Sequence, residues 1–228
     1  MIRGREREVR QICDEALARA PDEEGSEELY LVRGAVEDDP ARALAGFERA
    51  LAIRPKYALA RFLRGGIRLM EGDLAGASSE YDAALAVNPR LVPALHNRGM
   101  LRQHAQDWTG SLADYDAAIA VDPTYYRSLV HRGSVRKSLG HLDGALADFD
   151  AALAIDPEVA ATWNNRAGLH WARGEIAAAL ADWESALRCD PRQLEAIANR
   201  GNAFLERGEP GPALADFELA DRIAPAGS

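Results

Sequence analysis

The sequence predicts an all-α fold, a solenoid of short helical hairpins, on three observations. Seven of the 11 prolines stand at 21, 55, 89, 123, 157, 191 and 225, every interval being 34 residues. The stretches between them are rich in alanine and poor in β-branched residues, a composition that favours helix. A small residue, an aromatic and an alanine keep fixed distances ahead of the prolines, as Ala145, Phe149 and Ala152 do before Pro157. A repeat of this length is one supersecondary unit that buries its apolar face only by stacking on its neighbours.

The elements follow in order. Residues 1–23 read as a lone N-terminal capping helix, a half-repeat in phase with the later second helices. Its apolar stripe is Val9, Ile12, Cys13, Ala16 and Leu17, the i, i+3, i+4, i+7, i+8 spacing of one helix face. Six units follow at 24–57, 58–91, 92–125, 126–159, 160–193 and 194–227. Within them a glycine recurs 24 residues before the proline, at Gly65, Gly99, Gly133 and Gly201, with Ala167 in the remaining copy. A second breaker at Gly72, Gly140, Gly174 and Gly208 splits each unit into two helices.

Small residues such as Gly133 and Ala145 are expected where the paired helices cross, since a bulkier side chain there overpacks the contact at a cost of about 1–3 kcal/mol. The first unit diverges, with Leu31 at the glycine position and Asp38-Asp39-Pro40 as its turn. Asp39 is expected to cap the second helix there, with Pro40 in its first turn. The last unit has Asp221 where the inner units have Leu85, Ile119, Leu153 and Leu187. An acid at that position suits a solvent-facing end, so the array is expected to be complete within the chain.

Each later unit also carries an arginine 16 residues ahead of an acid: Arg64 and Glu80, Arg98 and Asp114, Arg132 and Asp148, Arg166 and Asp182, Arg200 and Asp216. The first unit has Tyr30 and Gly46 instead, so both partners are lost together. Joint loss predicts an ion pair between the two helices of a unit, which the planar guanidinium fork suits. A catalytic role for Asp148 with Asp150 does not fit. General acid–base work needs one pocket with separated pKa values, whereas this motif recurs down the chain, and helix positions two apart face different ways.

Composition narrows the function classes. A formal net charge of −9 argues against nucleic acid as the main partner, because phosphate binding needs clustered Lys and Arg, and it argues against an anionic membrane surface. The N-terminal stretch is charged throughout, and no run approaches the roughly 18 apolar residues of a membrane span. Cys13 and Cys189 lie 176 positions apart and read as reduced, buried thiols, which makes the cytoplasm the expected compartment. His96, His104 and His131 could approach one another on neighbouring first helices, but no HxxxH or mixed Cys/His spacing supports a metal site. No P-loop, GxSxG or strand-linked GxGxxG occurs. No metal, cofactor or catalytic residue is therefore expected. His170 and His141 read as packing and turn residues.

The 34-residue period with small, aromatic, alanine and proline landmarks in this order resembles the tetratricopeptide repeat. The resemblance implies a right-handed α-solenoid whose first helices line a concave groove that receives a partner protein. Carried over by position, it places Leu63, Asn97, His131, Asn165 and Asn199 on that inner face. The asparagines partly resemble the ladder that grips an extended peptide backbone in the superhelix of O-linked N-acetylglucosamine transferase, with Leu63 and His131 as departures. An amide offers donors and an acceptor to a peptide unit.

Neighbouring groove positions are Val32, Val36, Leu59, Phe62, Leu69 and Met70 in the early units; His96, Met100, Gln103, His104, Arg127, Ser134 and Lys137 in the middle; and Asn164, Gly168, Trp171, Asn202 and Glu206 in the later ones. Phe62, Leu69 and Met70 fit equally a packing role against the N-terminal helix. The Lys–Asn–Asn–Lys–Arg clamp of chaperone adaptors is not filled, although Asn97, Arg127 and His131 match a fragment of it. The expected function is a non-catalytic scaffold that binds a peptide or helix of a partner protein, with a monomer favoured. The alternatives are a self-associating solenoid and, behind it, a regulatory subunit of an enzyme.

Overall fold

The computed structural model describes residues 2–21, 23 and 25–224, and among these it contains 13 α-helices and no strand. Pro225 and the last residues of the sixth unit lie outside the described residues. The chain divides into two compact units, 1–121 and 122–228.

The first unit holds α1 (Ile2–Arg19), α2 (Ser26–Ala35), α3 (Pro40–Ile53), α4 (Ala58–Met70), α5 (Leu74–Val87), α6 (Val92–His104) and α7 (Trp108–Val121). The second holds α8 (Tyr126–Ser138), α9 (Leu142–Ile155), α10 (Ala160–Ala172), α11 (Ile176–Cys189), α12 (Leu194–Glu206) and α13 (Pro210–Ile223). First helices from α4 onward begin at 58, 92, 126, 160 and 194, so the proline period is the structural period. Helices pair as hairpins, α2 with α3, α4 with α5, and so on to α12 with α13. Successive hairpins stack inside each unit through α3–α4 and α5–α6 in the first, and α9–α10 and α11–α12 in the second.

The recurring aromatic forms the centre of each hairpin. Tyr81, Tyr115 and Phe149 are fully buried and Trp183 almost so, each burial contributing on the order of 2–3 kcal/mol. The recurring glycine exists because of these rings. A Cβ at Gly133 would lie 2.8 Å from Phe149 Cε1, and one at Gly65 would lie 2.7 Å from Tyr81 Cε1. The atoms nearest an added Gly133 side chain are thus those of Phe149, and Ala145 is fully buried in the same hairpin. In the first hairpin the ring-facing glycine is Gly34, whose Cβ would lie 2.8 Å from Phe47 Cε1, and not the Leu31 position read from the period. Helix α2 is also shorter, with 10 residues where later first helices have 13. Pro40 does open α3, and Asp39 accepts from Ala41 N as a cap.

Helix α1 packs on α2 through Cys13 and Leu17, while Ile12 is 58% exposed, so its buried stripe is narrower than the spacing suggested. Arg10 donates to Val36 O at 2.7 Å and pairs with Glu37 at 3.2 Å. Both cysteines are free, Cys13 buried and Cys189 half-buried.

All five arginine–acid pairs form. Arg132 grips Asp148 with two bonds of 2.6 and 3.1 Å, and Arg98–Asp114, Arg166–Asp182 and Arg200–Asp216 are likewise bidentate. Arg64 holds Glu80 through one bond of 2.7 Å. A second cation one helical turn on reaches the same carboxylate: Arg102 to Asp114 at 2.8 Å and Arg136 to Asp148 at 2.9 Å. His170 occupies that place in the next repeat, between Glu175 (2.5 Å) and Asp182 (3.7 Å).

The second acid of the motif has its own use. Asp82 accepts from Arg98 at 2.8 Å and Asp150 from Arg166 at 2.6 Å, each arginine belonging to the following repeat. One guanidinium therefore ties two hairpins together. The residue before the proline closes the connection between repeats. Asn88, Asp122, Asp156 and Asp190 each accept the backbone N–H two residues on, at 2.9 to 3.1 Å, the Asx-turn geometry.

Candidate functional site

In the first unit the exposed side of the first helices is largely occupied by the hairpin aromatics. Phe62 stacks on Tyr81 with ring centroids 5.9 Å apart. Asn97 Nδ2 donates to Tyr81 Oη at 3.2 Å. His96 is buried against the Tyr115 ring at 5.8 Å, and Tyr115 Oη donates to Gln103 Oε1 at 2.9 Å. Burial pushes the Tyr81 and Tyr115 hydroxyls up, so both stay protonated donors. Met100, Leu63, Leu69 and Val36 are half-buried; Met70 is 77% exposed; Val32, Leu59 and His104 are also exposed.

Helix α10 contacts both α8 and α12, so the first helices form a continuous face within the second unit. Asn164 is buried, and its carbonyl accepts from Trp183 Nε1 and from Asn199 Nδ2, both at 3.1 Å. Trp171 stacks on Trp183 at 6.0 Å. Ser134 donates to Val130 O at 2.9 Å, and its hydroxyl hydrogen is thereby used inside α8. Arg127, Asn199, Asn202 and Glu206 are exposed. Desolvation, reinforced by the Arg127 charge, lowers the His131 pKa, and desolvation alone lowers that of Lys137.

Asn165 stands apart. It is half-buried on α10 and makes no side-chain hydrogen bond to any described residue. The reason lies 16 residues earlier. Asn97 finds the hydroxyl of Tyr81 at that offset, whereas the residue 16 before Asn165 is Phe149, which has no hydroxyl to offer. Sequence positions that look equivalent thus differ in free hydrogen-bonding capacity: Asn97 and Asn199 are anchored, and Asn165 is open. The signal was present in the sequence as the alternation Tyr81, Tyr115, Phe149, Trp183, but its meaning depends on which atoms the ring tips reach.

The acids assigned a structural role lie in the hairpin interiors, bonded as described. Among the described residues no group of three His, Cys, Asp or Glu side chains is placed to hold a metal ion, and no helix is long and apolar enough to cross a membrane. A cavity of about 250 Å³ between Pro157, Glu158, Trp163, Ser185, Arg188 and Cys189 contains none of the candidate residues.

Comparison with known proteins agrees with this geometry. No curated protein sequence matches the chain. Among solved structures, a tetratricopeptide repeat protein from Parabacteroides merdae superposes with a TM-score of 0.69 at 22% identity, over 96% of this chain and 86% of that one. The Cut9–Hcn1 hetero-tetramer of the APC/C gives a TM-score of 0.81 at 18% identity, over 98% of this chain but 44% of the other. YrrB, described as a tetratricopeptide repeat protein with an unusual peptide-binding site, gives 0.66 at 18% identity, over 82% and 97%. The tetratricopeptide repeat family model matches residues 37–93, 96–160, 132–193 and 164–228. With the hairpin period, the ring-facing glycines and these matches in agreement, the chain belongs to the tetratricopeptide repeat family.

Proposed function

We propose that this protein is a non-catalytic binding scaffold whose first-helix face in the second unit, formed by α8, α10 and α12, receives an extended segment of a partner protein. The fold itself is a general protein–protein interaction scaffold. The observation that carries the finer reading is Asn165. Repeated charges on the hairpin walls are consumed in ion pairs, and Asn97 and Asn199 are tied down, but the Asn165 amide keeps its donors and acceptor for a ligand. A peptide unit offers the complementary C=O and N–H, the two groups an amide side chain satisfies together. Asn202, exposed on α12, extends that row, and Trp171 supplies an apolar wall beside it. The YrrB structure, with its peptide-binding site, supports the reading by likeness of fold. The expected setting is cytoplasmic and the partner a protein.

The test uses Phe149→Tyr. Tyr81 and Tyr115 already fill the equivalent position, so the hydroxyl is accommodated and will capture Asn165. Immobilised wild-type protein is screened with a random pool of capped decapeptides, and retained peptides are remeasured against Phe149→Tyr and Asn165→Ala. Both substitutions should weaken binding by roughly tenfold, the worth of one well-made hydrogen bond to an otherwise unpaired group. Unchanged binding in both variants would remove Asn165 from the site.

A second reading, self-association, has one observation in its favour: Leu205 and Leu214 are 50% and 59% exposed on α12 and α13. Light scattering across a concentration series decides it, and a strict monomer sets it aside.

A further inference from the structure

We infer that the segment bound on the second unit carries an acidic side chain, Asp or Glu, seated on Lys137. This rests on the reading that α8, α10 and α12 form the binding face. Lys137 lies in the last turn of α8, half-buried, and no described carboxylate pairs with it. Its ammonium reaches across to α10, where Gly168 leaves room: a Cβ at residue 168 would sit 3.0 Å from Lys137 Nζ. A lysine usually keeps its head in water by snorkelling. Here the head lies over the bare backbone of the next first helix, and burial lowers its pKa with no acid acting in the opposite direction.

The contrast with the rest of the chain is informative. The protein has a net charge of −9, and Arg98, Arg132, Arg166 and Arg200 are matched to buried acids. Helix α8 carries two further cations, the exposed Arg127 at its start and the half-buried Lys137 at its end. The equivalent places on α10 are Ala161 and Trp171, and those on α12 are Glu195 and Leu205. Charge therefore runs from positive on α8, through neutral amide and indole on α10, to negative on α12. An extended segment would place its carboxylate over α8 and its backbone on Asn165, with an apolar side chain on Trp171 and a neutral or basic residue toward Glu195. Lysine supplies a compact point charge with rotatable donors, which suits one side-chain carboxylate in passing. The open Asn165 amide beyond it asks for a mid-chain peptide unit, so the carboxylate belongs to a side chain within the segment and not to its terminus.

The experiment uses the full chain and fluorescein-labelled decapeptide pools, acetylated and amidated, whose central residue is Glu, Gln or Lys. A fourth pool has Gln at the centre and a free C-terminal carboxylate. Anisotropy titrations should show the Glu pool binding roughly tenfold more tightly than the Gln pool, the size expected of a charge-assisted bond in a half-buried place. That ratio should fall to about one in Lys137→Met and persist in Lys56→Gln, which removes an exposed lysine of the first unit, with melting curves confirming that both variants fold. Equal binding of the Glu and Gln pools overturns the inference while leaving the binding face in place. Preference for the free-terminus pool, or equal losses in Lys137→Met and Lys56→Gln, also overturns it. If no pool binds the wild type, the proposed binding face itself fails, and the inference with it.

Discussion

Two adjacent glycines in α4 offer a sharp test of why the repeat keeps a glycine on its first helix. An added Cβ at Gly65 would lie 2.7 and 3.0 Å from two Tyr81 ring carbons and 3.1 Å from Glu80 Cβ, whereas one at Gly66 meets nothing within 4 Å. Carbon atoms normally sit about 3.5–4.0 Å apart, so Gly65→Ala must push the fully buried Tyr81 ring by several tenths of an ångström. Overpacking of this kind costs about 1–3 kcal/mol, and the gain in helix propensity returns about 1 kcal/mol. The net expectation is a loss of up to about 2 kcal/mol. Gly66→Ala has the propensity gain alone and should stabilise by about 0.5–1 kcal/mol. For a chain of this length, 1 kcal/mol moves the melting temperature by about 2–4 °C. Circular dichroism melts of the two variants should therefore move in opposite directions from wild type. If Gly65→Ala matches or exceeds wild type, the ring contact does not explain the glycine.

Three further expectations concern the hairpin walls and turns. Asp148→Asn strips the charge from a carboxylate shared by Arg132 and Arg136 and should destabilise by about 3 kcal/mol in urea unfolding; Asp150→Asn, losing an exposed acceptor, should cost under about 1 kcal/mol. Gln106 has φ +60° where Gly72, Gly140, Gly174 and Gly208 have φ between +74° and +80°; Gln106→Gly should gain about 1 kcal/mol by relieving left-handed strain, and a lower melting temperature would contradict that. His131 titrates below its ordinary value near 6.5 because burial disfavours the cation. The folded state then holds fewer protons than the unfolded one between the two values, so stability is complete above about 6.5 and is lost as pH falls below it. The pH profile of His131→Gln should be flatter there, and an unchanged slope would assign the effect to other groups.

Much of this was legible without coordinates. The proline period set the helix starts, and the 16-residue arginine–acid offset identified pairs that form with bidentate geometry. Asp39 and Pro40 were readable as a cap and first turn because capping is local chemistry. In the first hairpin the period marked Leu31 as a departure, but that Gly34 faces the Phe47 ring instead depends on how α2 lies on α3. The second acid of the motif was also opaque: Asp82 and Asp150 serve arginines of the following repeat, a contact set by how hairpins stack.

By itself, then, the sequence determined whatever depends on near neighbours along the chain: helix period, turn chemistry, and the pairing of two helices joined by a short loop. Only the tertiary structure decided which polar groups remain available. Asn97, Asn165 and Asn199 occupy one repeat position, yet Tyr81 satisfies the first, Asn164 the third, and Phe149 leaves the second open. Hydrogen bonds saturate, so the free capacity of a side chain depends on the atoms that packing brings within about 3 Å of it.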